Sequence, residues 1–144
     1  MKPLDLTKAP PRSPREELCG LCMLPRMIEI ARATLPGGSR GQYQIGRAKS
    51  LSAAVLKTLR VSETQFLEVV QEARTDDDVA RRLWPANPPP LAELNLRLRR
   101  ITVAEVPPEL QPDFQRFYGA DLPPDRRVFD ILEADDTRCF PKTA

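Results

Sequence analysis

The chain has 144 residues, 41% of them apolar, no histidine, and a net charge of only +2. That length suits one domain around one core. The missing histidine excludes Ser-His-Asp and Cys-His nucleophile systems and imidazole metal ligands, and it removes the commonest general base at neutral pH.

The amino end, MKPLDLTKAPPRSPREE, is polar and proline-rich where a signal peptide would be apolar, and no apolar run reaches the ~18 residues a spanning helix needs. The expectation is a soluble, cytoplasmic protein with no membrane association. Three cysteines without an export signal fit reduced thiols better than a disulfide framework. Charge is unevenly placed: residues 1–60 hold eleven Lys or Arg against four Asp or Glu, and residues 61–144 hold eleven against sixteen. Either the basic half meets an anionic partner or the two halves attract each other within one fold.

Proline clusters at Pro10-Pro11, Pro88 to Pro90, Pro107-Pro108 and Pro123-Pro124 punctuate the chain into short elements. After an extended leader over 1–12, Ser13-Pro14-Arg15-Glu16 reads as a helix start, with serine as cap and proline at the first helical position. LPRMIEIARATL places Ile28, Ala31 and Leu35 on one face and stops at Pro36-Gly37-Gly38. The connection GGSRGQYQIG holds a short extended piece around Tyr43 and Ile45, the one plausible strand.

SLSAAVLKTLR sets Leu51, Ala54, Val55 and Leu59 at helical spacing. In VSETQFLEVVQEA, Ser62 and Gln65 form a capping box and Phe66, Val69, Val70 and Ala73 a buried face. Thr75 caps a helix that opens with Asp76-Asp77-Asp78, carries Val79, Leu83 and Trp84, and ends at Pro85. LAELNLRLRRI presents a stripe of Leu91, Leu94, Leu98 and Ile101. Pro112 and Gly119 bracket a short helix with Phe114, Phe117 and Tyr118, and RVFDILEADD supplies a last short helical piece. The expected architecture is all-α: a single small domain over 13–136, built from six to eight short helices with proline-rich connections and followed by a tail over 137–144.

The run DLTKAPPRSPRE, then LPRMIEIARATL, then GQY, with RVFDILEADD near the end, resembles the bacterial domain-of-unknown-function family 5069 from about Asp5 to Asp136. Its most specific part is Arg12-Ser13-Pro14-Arg15 followed by Leu24-Pro25-Arg26-Met27 and Ala31-Arg32-Ala33. The resemblance implies a small, soluble, mostly helical bacterial protein with no assigned activity. It also leads one to expect glycine where this chain has Cys19, and a Cys-Pro-containing loop where it reads QIGRAKSLS.

Two constellations carry candidate chemistry. Cys19 and Cys22 have the spacing of a redox dithiol or half a zinc site. However, no strand precedes them as in a thioredoxin-type motif, and with Cys139 they supply only three zinc ligands. Small buried or half-buried thiols are the plainer reading, and no metal or cofactor is expected. Arg12, Arg15, Arg26 and Arg32 could instead clamp a carboxylate or phosphate, or they could pair with Glu16, Glu17 and Glu29.

The three consecutive aspartates suit a helix start better than a calcium loop, whose ligands alternate. The glycine-rich Pro36–Gly41 stretch lacks the ending of a phosphate loop. Arg97, Arg99 and Arg100 have no aromatic neighbours on which bases could stack, which argues against nucleic acid. The functional expectation is a non-enzymatic binding or interaction module whose contact surface is the arginine segment, with a small anion or a protein as partner. The alternatives are an enzyme on a small anionic substrate, using Glu16, Glu17 or Glu29 as acid or base, and a Cys19–Cys22 thiol redox protein.

Overall fold

The structure is a computed structural model that describes residues 1–84 and 90–141. The expected helix stop at Pro85, most of the Pro88 to Pro90 cluster and the last three residues of the tail lie outside the described residues. Among the described residues there are seven α-helices: α1 (Leu24–Ala33), α2 (Leu51–Leu59), α3 (Glu63–Glu72), α4 (Asp76–Leu83), α5 (Leu91–Arg100), α6 (Gln111–Tyr118) and α7 (Val128–Cys139). None of them is long and apolar enough to cross a membrane.

The fold is mostly helical rather than all-α, because a small antiparallel hairpin, β1 (Glu17–Leu18) and β2 (Leu21–Cys22), stands where a helix was expected to begin at Ser13. The cap signals there build only one turn: Glu16 N–H donates to the Ser13 carbonyl at 3.1 Å and Arg15 N–H to its hydroxyl at 3.1 Å. Cys19 and Gly20, at φ 52° and 79°, instead make a two-residue turn with both φ positive, the combination a tight hairpin favours. Asn95 on α5 secures it by accepting the Cys22 N–H at 2.7 Å. The second difference is at Tyr43 and Ile45, where no strand forms: Tyr43 N–H closes a turn on the Arg40 carbonyl, and Ile45 is buried in the core.

Helix α1 is the hub. Eight of its ten residues are buried, so it is covered on nearly all sides, and the single face expected for it is too narrow a description. It packs against α3 and the hairpin, while α5 bridges β2, α2 and α7. The leader is extended and belongs to the packing. Leu6 is buried, and the chain around it runs beside Ser39, with Leu6 N–H donating to the Ser39 carbonyl at 2.8 Å and Ser39 N–H to Leu4 at 3.0 Å. Gly38 permits this approach, since a Cβ there would sit 2.9 Å from the Leu4 carbonyl oxygen.

The caps of α2, α3 and α4 are as their sequences dictate: Ser50, Ser62 and Thr75 each accept from a backbone N–H in the first turn, and Ser62–Gln65 closes a full capping box. Helix α7 runs to Cys139, past residue 136 where the domain was expected to end. Helix α6 differs from the others because none of its residues is buried.

Replacing Cys19, a non-glycine residue in the left-handed region, by asparagine, which tolerates that region better, is expected to raise unfolding stability by about 1 kcal/mol. Urea denaturation checks this, and a lowered midpoint would contradict the hairpin geometry.

Candidate functional site

The four arginines expected to form a binding surface each have partners within the chain. Arg12 donates its backbone N–H and Nε to Glu29, at 2.7 and 3.0 Å, and its terminal nitrogens to Asp76, at 2.6 and 3.3 Å. Asp76 thereby ties α4 to the leader as well as opening its helix. Arg15 pairs with Asp130 and Glu133 on α7 and lies over the Phe129 ring. Arg32 donates Nε to the Lys2 carbonyl at 2.8 Å. Of the proposed acids, Glu29 is held by Arg12, Glu17 by Asn95 and Arg99, and Glu16 lies 4.0 Å from Arg12.

Arg26 is the unusual member. It projects from α1 into the interior, where its two terminal nitrogens donate to the two oxygens of Asp136 on α7 at 2.7 and 3.1 Å. It also donates to the Arg12 carbonyl at 3.2 Å. Tyr43 donates its hydroxyl to Asp136 at 2.8 Å and sets its ring 5.3 Å from the guanidinium carbon, in cation–π range. A planar guanidinium matched bidentately to a carboxylate is the geometry that makes a buried ion pair tolerable. Burial, then the bond to Asp136, pushes the Tyr43 hydroxyl well above the usual tyrosine range, so it stays a donor.

The segments quoted for the family resemblance therefore meet in space: Arg12, Arg26 and Glu29, Tyr43, and Asp136. Sequence reasoning singled out the arginines but neither Tyr43 nor Asp136 as site residues, although both fall within the quoted runs GQY and RVFDILEADD. A carboxylate 110 residues from its guanidinium leaves no local signal.

Beside this bridge opens a cavity of about 620 Å³, within the range typical of small-molecule sites. Met27 and Ile30 of α1 and Leu132 of α7 form apolar wall, and Tyr43, Ile45 and Leu51 line another side. Leu110, Phe114, Phe117 and Tyr118 present the apolar side of α6 across it. The α6 rings pack on one another, Phe114 and Tyr118 at 4.8 Å between centroids, and Phe117 remains half exposed. Burial, then Asp135, raises the Tyr118 hydroxyl above its usual value. The polar rim consists of Arg47 paired with Asp113, Lys49 with Glu109 at 2.5 Å, and Arg138 with Asp135 at 2.5 Å. Of the four singled-out arginines, only Arg26 lines this cavity.

The cysteines sit elsewhere. Cys19 is exposed at the hairpin tip and Cys22 is buried. Burial pushes the Cys22 thiol from 9.0 up to about 11, the opposite of the lowered value an attacking thiolate needs. Cys139 lines the cavity from the end of α7.

Two outcomes follow from this geometry. Asp136→Ala leaves a buried guanidinium without its counter-charge and should cost about 3–5 kcal/mol, whereas Tyr43→Phe, which removes one donor, should cost about 1–2 kcal/mol. Chemical denaturation separates them, and equal losses would contradict the bridge. Because the Cys22 value is raised on folding, its contribution is complete below 9.0 and is lost as pH rises through about 11. Stability should fall across that window, and more shallowly for Cys22→Ala; parallel curves would contradict the burial.

A comparison with curated proteins finds no match to this chain. A family model described as "Domain of unknown function (DUF5069)" matches residues 8–138. The match takes in the hairpin, the Arg26–Asp136 bridge and both walls of the cavity, and the chain belongs to that family.

Proposed function

We propose that the protein is a non-enzymatic binding module whose ligand site is the cavity between α1, the Tyr43–Leu51 segment, α6 and α7. The observation that carries this reading is the roof. The cavity is mostly apolar, of ligand size, and covered by a helix that buries none of its own residues. Apolar walls left open to water cost free energy, and a ligand that covers them recovers it. In this reading Arg12, Arg15 and Arg32 hold leader, hairpin and α7 in place, and Arg26 holds the wall that Tyr43 presents. The contact surface thus moves from the arginine segment to the cavity beside it. The enzymatic alternative has less support, because three of its four clamp residues lie outside the cavity and two of its three acids are engaged by hydrogen bonds within the chain.

The test is a fragment screen followed by heteronuclear NMR. Apolar fragments should shift amide signals of residues 41–52 and 106–118, and Leu132→Trp, which fills the space, should abolish those shifts without lowering helicity by circular dichroism. Shifts scattered over the surface, or retained in the filled variant, would reject the reading.

A further inference from the structure

The rim of the cavity bears on the class of ligand, an inference that rests on the cavity being the binding site. Arg47 and Lys49 belong to an anchored wall. Ile45 is buried, Gly46 N–H donates to the Ser52 hydroxyl at 2.9 Å, and a Cβ on Gly46 would come within 2.5 Å of the Glu63 carboxylate. Their counter-charges belong to the roof, since Asp113 lies on α6 and Glu109 just before it, on a helix with no buried residue. These pairs are solvent-exposed, and exposed pairs are weak. If the roof lifts, the carboxylates leave with it and the two cations remain facing the apolar space. Asp113 then keeps a partner on its own helix, Arg116 at 3.0 Å. The other charges at the cavity, Arg26 with Asp136 and Arg138 with Asp135, are paired away from the roof. Lys49 itself holds φ 65°, a left-handed conformation uncommon outside glycine.

We propose that the ligand is a small amphiphilic monocarboxylate. Its apolar body lies under α6, and its carboxylate takes the place of Asp113 and Glu109 on Arg47 and Lys49. One carboxylate shared between the two cations replaces two, so part of the rim's exposed and weak charge pairing is given up, and the gain comes from covering the apolar walls.

Calorimetric titration of the full chain with octanoate, octanol and octylamine, at low and at high salt, tests this. Octanoate should bind at least about tenfold more tightly than octanol, with octylamine weaker still, and added salt should erode the advantage. The pair of changes Arg47→Gln and Lys49→Gln should bring the affinities for octanoate and octanol together, removing the preference for the carboxylate. Glu109→Gln with Asp113→Asn, which frees the cations without touching them, should tighten octanoate severalfold. Equal binding of octanoate and octanol, a preference for octylamine, or a preference that survives loss of both cations would overturn the proposal and leave the cavity reading standing. Absence of binding by all three probes would overturn both.

Discussion

A guanidinium charge inside a protein is a constraint before it is an interaction. Arg26 stands on the most buried helix of this chain, and Asp136 with Tyr43 is what makes that position possible. The cost of desolvating two ions is offset only when the geometry is close to ideal and the remaining donors and acceptors are satisfied. The requirement reaches far along the chain. It fixes the rotation of α7 against α1, places the Tyr43 turn between them, and brings the leader close enough for the Arg12 carbonyl to take a further donor. A second layer of pairs, Arg12 with Glu29 and Asp76 and Arg15 with Asp130 and Glu133, fastens α4, the leader and α7 to the same centre.

The cavity follows from this arrangement. The turn closed by Tyr43 on the Arg40 carbonyl is tied to α7 through Asp136, and its residues line the cavity beside α1. Helix α6 then spans the gap, held at its near end by rim ion pairs and by Gln111, which donates to the Val103 and Val106 carbonyls at 3.0 and 2.9 Å, rather than by a buried face. In the proposed site the wall is anchored by buried Ile45 and the Gly46–Ser52 bond while the roof has no buried residue, and the elements that move in proteins are drawn from the least stable parts of a fold.

Much of the scaffold was legible in the sequence. The capping residues Ser62 and Thr75, the stop ahead of Pro36-Gly37-Gly38 and the leucine stripe of α5 are local signals: the two caps accept first-turn N–H groups, α1 ends at Ala33, and Leu94 and Leu98 are buried. The hairpin was missed because its cue, Cys19-Gly20, is a weak relative of the usual asparagine–glycine turn, and because Ser13-Pro14 imitates a helix start. The glycine that the family resemblance led one to expect at position 19 has a physical reason in the positive φ found there. The candidate site was half legible: Arg26 was singled out, either for an anion outside the chain or for pairing with Glu16, Glu17 or Glu29, but its partner is Asp136.

By itself the sequence determined composition and local geometry: a chain without histidine, therefore without imidazole chemistry, cut into short helices by caps, glycines and prolines. Those properties depend on a few neighbouring residues, and most of them persist in the fold, the helix start signalled at Ser13 being the exception. Only the tertiary structure decided which arginine would be buried, which acid would meet it from 110 residues away, and where apolar walls would be left uncovered. Charge pairing and cavity shape are properties of packed surfaces, and no window along the chain contains both surfaces at once.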